Sequence, residues 1–152
     1  MQKLFKTSES NILAKHSLVY LSETFMLSSR ASNPWENRKE MHIVSAENNK
    51  GKKGGRKIRG QATFIEKSLN ASLFSSTKHH QCTRIKDVFI VGIYLQDGME
   101  LDDKILIVTK LLDEIYRECT SAKVILAGDL NVKAKEKDDN RKGEFDEMRK
   151  VL

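Results

Sequence analysis

Two apolar runs with an amphipathic segment between them restrict what this chain can fold into more than any other feature. "KDVFIVGIYL", Lys86 to Leu95, is a near-continuous run of β-branched and large apolar residues, the pattern of a strand buried on both faces. "KVILAGDLN", Lys123 to Asn131, is a second such run. Between them Ile105, Val108, Leu112, Ile115 and Cys119 recur at steps of three and four, which places them on one face of an α-helix. "DGMELDD" ahead of that stripe supplies turn and N-cap residues. Strand, helix, strand in this order predicts a βαβ-like unit in a layered α/β domain, and a mixed sheet also accommodates it.

The rest of the chain adds shorter signals. Gln2 to His16 is loosely helical, with Leu4, Phe5, Ile12 and Leu13, and feeds a strand at Leu18 to Leu21. "SSRASNPWENRK" reads as loop around the only proline, Pro34. A second strand is expected at Met41 to Ala46 and another in "QATFIEKSL", whereas "NASLFSSTKHHQCTR" has no clear period. Residues 48–60 form a basic, glycine-rich stretch that cannot pack a core and reads as a flexible loop. The chain of 152 residues is long enough for one domain, expected over 1–132. The tail 133–152 alternates charges with few apolar residues and is expected to be a frayed helix or disordered.

Lys and Arg exceed Asp and Glu by 27 to 21, so an anionic partner such as nucleic acid is electrostatically favoured. Cys82 and Cys119 share no ligand-like spacing, which fits a reducing, intracellular compartment, nuclear or cytoplasmic. The N-terminus lacks a basic segment followed by an apolar one, and no stretch approaches the roughly eighteen apolar residues of a membrane span. Secretion and membrane insertion are not expected.

In layered α/β domains ligands gather beyond the carboxyl ends of strands, where Asp129 and Asn131 would project. Glu23 ends the first strand in "LVYLSETF" in the same way, and Tyr94 ends the strong central one. Oxygen ligands of this kind suit magnesium, which commonly takes one or two carboxylates and fills its other positions with water and substrate phosphate.

"SETF", "RGQATFIEKSL", "VFIVGIYL" and "VILAGDLN", in this order and spacing, resemble the endonuclease/exonuclease/phosphatase superfamily, the DNase I-like fold, and within it the endonuclease domain of non-LTR retrotransposons. The resemblance runs from about Leu18 to Asn131. It implies an α/β sandwich of mixed β-sheets flanked by helices and hydrolysis of phosphoester bonds with Mg2+ or Mn2+. It also implies roles: Glu23 as metal ligand, Tyr94 arranging the phosphate site, Asp129 orienting or deprotonating the attacking water, and Asn131 bonding the scissile phosphate, with Gly128 allowing the tight backbone beneath them. DNA or another nucleic acid is the implied substrate, and Lys50, Lys52, Lys53, Arg56, Lys57 and Arg59 in the basic loop are candidate phosphate contacts.

The departures from the family pattern are specific. The family's first strand, which carries an asparagine, has no counterpart in the 22 residues before Glu23, and the chain stops 21 residues after Asn131, before the family's second half-sheet and closing Asp-His pair. All four histidines precede "GDLN", and Gln96 stands where a proline commonly follows the tyrosine. The chain is therefore expected to be truncated at both ends and inactive or nearly so. The inner faces of Val88 to Leu95 and Val124 to Ala127 are expected to lose much of their packing partner.

Blander assignments stand beside these. Asp, Asn and Gly all favour ordinary turns, Glu23 also fits a capping carboxylate, and Tyr94 also fits a core aromatic. "KHHQC" invites zinc but falls short of four ligands. The basic run also fits a solvated loop or a nuclear import signal, and Trp35 either stacks on a base or covers a core edge. The rival functions are a non-catalytic nucleic-acid-binding module, a decayed retroelement fragment and, within the superfamily, a phosphatase.

Overall fold

The structure is a computed structural model that describes residues 15–22, 24, 36–44, 60–132 and 143–152. In chain order the strands are β1 (Leu18–Leu21), β2 (Lys39–Val44), β3 (Gln61–Glu66), β4 (Ser72–Ser76), β5 (His80–Ile85), β6 (Val88–Tyr94) and β7 (Lys123–Asp129). Helix α1 (Leu101–Glu118) joins β6 to β7, and a short helix, α2 (Glu144–Arg149), follows. The strands form two sheets, ordered β1-β3-β2 and β4-β5-β6-β7. This is the layered α/β architecture that the patterning predicts, in the form of the two-sheet sandwich that the resemblance implies.

The first sheet is antiparallel throughout, and its register sorts its two faces. Val19, Phe64 and Met41 align across it, as do Leu21, Ala62 and Ile43, giving an apolar face centred on Val19, Ala62 and Phe64. The opposite face carries Tyr20, Gln61 and Thr63, and it meets the second sheet. There the Thr63 hydroxyl donates to Gln81 Oε1 at 2.6 Å, the Tyr20 hydroxyl to Gln61 Oε1 at 3.1 Å, and Gln61 Nε2 to the Lys78 carbonyl at 2.7 Å. A buried polar group left unpaired costs about 1–3 kcal/mol, so this connected seam holds the sheets in one relative position.

The main core lies between the second sheet and α1. Phe89, Val91, Ile93 and Leu95 alternate onto the helix side and pack with Cys82, Val108, Leu111 and Ile115, all buried. Burying each large apolar side chain contributes roughly 1.5–3 kcal/mol. Val108 and Ile115 sit at the centre of the helix stripe as its periodicity predicts, while Ile105, Leu112 and Cys119 flank it half-buried. The remaining buried positions of α1 are Leu111 and Lys104, the latter invisible to a count of apolar residues.

Other expectations sharpen. β1 falls where its sequence placed it; β2 begins two residues earlier than Met41. "QATFIEKSL" is a strand only to Glu66 and then a 3-10 turn over Lys67–Leu69, closed by Asn70 at φ 48. The segment without a clear period is a hairpin, β4 and β5. In the tail, α2 buries Met148 in the main core, with Val151 packed against it.

One packing expectation is corrected. β6 does not lose its partners: α1 covers one of its faces and the first sheet the other, where Tyr20 lies on Gly92. In β7, Ile125, on the face away from α1, is 53 % exposed. Among the described residues no helix is long and apolar enough to cross a membrane.

Candidate functional site

β6 and β7 are parallel, so their carboxyl ends lie side by side, and the register sets Tyr94 opposite Asp129. The pairing continues one step further, the Leu95 amide donating to the Asp129 carbonyl at 2.9 Å. Gly128 makes this approach possible. Its φ is 142, and a Cβ there would lie 2.0 Å from the Ile93 carbonyl oxygen. Only glycine fits so strained a position against a neighbouring backbone.

Beyond the strands the chain turns back on itself. The Asn131 amide donates to Asp129 Oδ1 at 3.0 Å, closing an Asx-type turn, and Asn131 takes a left-handed conformation at φ 47. Its side-chain Nδ2 donates to the Leu95 carbonyl at 2.8 Å, tying the end of β7 to the end of β6. The carboxylate is exposed and the asparagine half-buried. An ionised carboxylate accepts several hydrogen bonds and a primary amide has two N–H groups, so both side chains retain capacity for a ligand after these internal bonds.

Backbone bonds bring further elements to this end of the molecule. The Tyr94 amide donates to the His79 carbonyl at 2.8 Å, next to the Lys78 carbonyl that Gln61 reaches from the start of β3. The Thr24 amide donates to the Gly60 carbonyl at 2.8 Å, so the chain leaving β1 passes the residue that enters β3. The ends of β1, β6 and β7 and the start of β3 thus share one edge of the sandwich. The register sets Tyr94 beside Asp129, and Asn131 is bonded to Asp129. Glu23 and the basic residues Lys50, Lys52, Lys53, Arg56, Lys57 and Arg59 lie outside the described residues, as does Trp35.

Among the described residues no three His, Cys, Asp or Glu side chains gather into a metal site. The donors at the strand tips are nevertheless hard oxygens, an exposed carboxylate beside an amide, which match magnesium in kind and leave most positions to water and phosphate.

"KHHQC" is not a metal site in this fold. His80 is buried and both ring nitrogens are occupied, Nε2 by the Ser75 hydroxyl at 3.0 Å and Nδ1 by the Thr77 hydroxyl at 3.1 Å. Thr77 Oγ1 already accepts from the amides of His79 and His80, so its own proton goes to Nδ1, which leaves the ring proton on Nε2 facing Ser75. Burial, reinforced by neighbouring His79, pushes the His80 pKa down to about 4 from its ordinary 6.5. Between these values the unfolded chain binds a proton that the native one refuses. Stability is therefore complete above pH 6.5 and falls as the pH drops toward 4. The expected slope is about tenfold in the folding equilibrium constant per pH unit. Denaturant titrations at stepped pH should show that slope, and His80→Gln should flatten it; equal slopes in both proteins would remove His80 as its source.

Sequence reasoning missed one residue that touches the site. Lys104, in the first turn of α1, is 1 % exposed and donates from Nζ to the Asn131 carbonyl. Its only signal in the sequence was a lysine falling within a helix stripe otherwise made of Val108, Leu111 and Ile115.

No protein-family model matches the chain, and no curated protein sequence does either. Solved structures do. The endonuclease domain of TRAS1, a telomere-specific non-LTR retrotransposon, superposes with a TM-score of 0.57 at 12 % identity, over 95 % of this chain and 62 % of that one. A 3' phosphatase, NExo from Neisseria, bound to product DNA hairpin, gives 0.51 at 17 % identity over 85 % and 53 %. An AP endonuclease from Archaeoglobus fulgidus gives 0.48 at 15 % identity over 85 % and 52 %. The chain spans at most 62 % of the length of each of these three structures.

Proposed function

We propose, for a chain whose fold is the DNase I-like sandwich of the endonuclease/exonuclease/phosphatase superfamily, that it carries one half of a metal-dependent phosphodiester-cleaving site directed at nucleic acid. The observation that supports this most is the convergence of Tyr94, Asp129 and Asn131 on the carboxyl ends of two parallel strands, with Asn131 locked by its own turn. In this reading Asn131 donates its second amide proton to a phosphate oxygen. Asp129, exposed and fixed through one oxygen, accepts a proton from the attacking water or orients it. Tyr94 borders the phosphate on the β6 side. Asp129 and Asn131, with Glu23 as a proposed further ligand, would hold the divalent ion, which when bound polarises a phosphoryl oxygen.

The likeness to a retrotransposon endonuclease domain and to a phosphatase bound to product DNA supports nucleic acid as substrate class, and the net +6 charge agrees. Half a site supplies only part of the acid-base chemistry, and each missing general acid or base typically costs about 10²–10⁴ in rate. Supercoiled-plasmid nicking by the purified chain is therefore expected to be at most a trace, dependent on magnesium and lost in Asp129→Ala. Mn2+ should selectively broaden the NMR resonances of Asp129 and Asn131. Nicking that survives the substitution, or Mn2+ that leaves both residues untouched, would overturn the proposal. Magnesium-independent, salt-sensitive DNA binding without cleavage would favour the binding-module alternative.

A further inference from the structure

We propose that Lys104 is a positioning residue for the strand-tip site, its buried ammonium holding Asn131 in the left-handed conformation that presents the side-chain amide. The inference rests on the reading of Asp129 and Asn131 as the ligand-contacting pair.

Two physical costs mark Lys104 as out of place on packing grounds. A buried ammonium loses its hydration, and a cation in the first turn of a helix faces the positive end of the helix dipole. Leu or Met would fill the same volume without either cost. Lys104 is 1 % exposed, and among the described residues no carboxylate pairs with it. Among those residues its Nζ donates to the Asn131 carbonyl oxygen at 2.5 Å. A charged donor gives such a bond about twice the strength of a neutral one.

The other bonds of Asn131 show what this one adds. Its amide donates to Asp129 Oδ1, and its side chain donates to the Leu95 carbonyl. Both partners belong to the ends of β6 and β7, so these bonds could swing together with the loop. The Lys104 bond is the tether that arrives from a different element, α1, whose Val108, Leu111 and Ile115 anchor it in the main core. Asn131 is thereby held through its amide, its carbonyl and its side chain at once. A non-glycine residue at φ 47 needs such support, although asparagine tolerates the region better than most.

The test is hydrogen exchange by NMR on the whole chain, without metal or nucleic acid, comparing wild type with Lys104→Met and Lys104→Arg. In Lys104→Met the Asn131 amide is expected to exchange roughly tenfold faster, the equivalent of one lost hydrogen bond. Amides of α1 and β6 should keep their protection, which a merely structural loss would not allow. Lys104→Arg, which restores a cationic donor, should return most of the protection at Asn131. Unchanged exchange at Asn131 in Lys104→Met, or acceleration spread evenly over the core, would overturn the proposal. Should Lys104→Met fail to fold, Lys104→Gln is measured instead, and the same two outcomes decide. Mn2+ broadening of Asp129 and Asn131 in wild type reads the ligand site separately. A positive exchange result with no broadening would sink the site reading while leaving the tether in place.

Discussion

Gly92→Ala is expected to destabilise the chain by roughly 3 kcal/mol, at the upper end of what overpacking a core costs. Gly92 lies in β6 under the ring of Tyr20, and an added Cβ would stand 2.2, 2.4 and 2.5 Å from three ring atoms. No flexible side-chain end is available there to move aside. The Tyr20 hydroxyl is bonded to Gln61, Gln61 is bonded to the Lys78 carbonyl, and burial pushes the Tyr20 phenol above its usual range. Displacing the ring breaks the polar seam between the sheets. For a chain of this size 1 kcal/mol moves the melting temperature by about 2–4 °C, so thermal unfolding should shift down by about 6–12 °C. Removing the ring should relieve the clash, so Tyr20→Ala should cost less in the Gly92→Ala background than in wild type. A single substitution that melts with wild type, or strictly additive effects, would mean the sheets do not meet as described. Gly98→Ala is the control, since a Cβ there meets nothing within 4 Å.

A second glycine substitution should strike the site as well as the fold. At Gly128 the added Cβ would lie 2.0 Å from the Ile93 carbonyl oxygen and 2.9 Å from the Ile93 backbone carbon and nitrogen. Backbone in the middle of a paired strand has no rotamer to change, and φ 142 is itself strained for any L side chain. Gly128→Ala must push the ends of β6 and β7 apart, at an expected cost of about 3 kcal/mol or more. Unlike Gly92→Ala, it should abolish the Mn2+ response of Asp129 and Asn131 even in the fraction that stays folded. Equal loss of that response in both variants, scaled only by unfolding, would show that the tip is not held by the close approach at Gly128.

Local patterning carried the larger elements because their signals are local. The βαβ unit was readable from two apolar runs and a stripe of period 3.6, and "GDLN" at the end of a buried run marked where a site would sit. The hairpin of β4 and β5 was not readable. β5 buries polar residues on both of its faces, His80 bonded to Ser75 and Thr77 on one and Gln81 bonded to Thr63 on the other. Polar side chains in a strand look like loop until their partners are known. β7 reads as a buried apolar run, yet Ile125 is exposed, in line with the expectation that the inner face of Val124 to Ala127 would be short of a packing partner.

By itself the sequence determined the order and type of the larger elements, the βαβ unit above all, and the chemical identity of the strand-tip residues. Hydrophobic period and turn chemistry act over a few neighbours, and a few neighbours are what a local stretch contains. The tertiary structure alone decided that Tyr20 lies on Gly92, that Asp129 stands beside Tyr94, and that a lysine 27 residues before Asn131 reaches its carbonyl. Each of these depends on which distant elements share a face, and the energy that selects them, close packing and the satisfaction of buried polar groups, exists only once the sheets and helix have met.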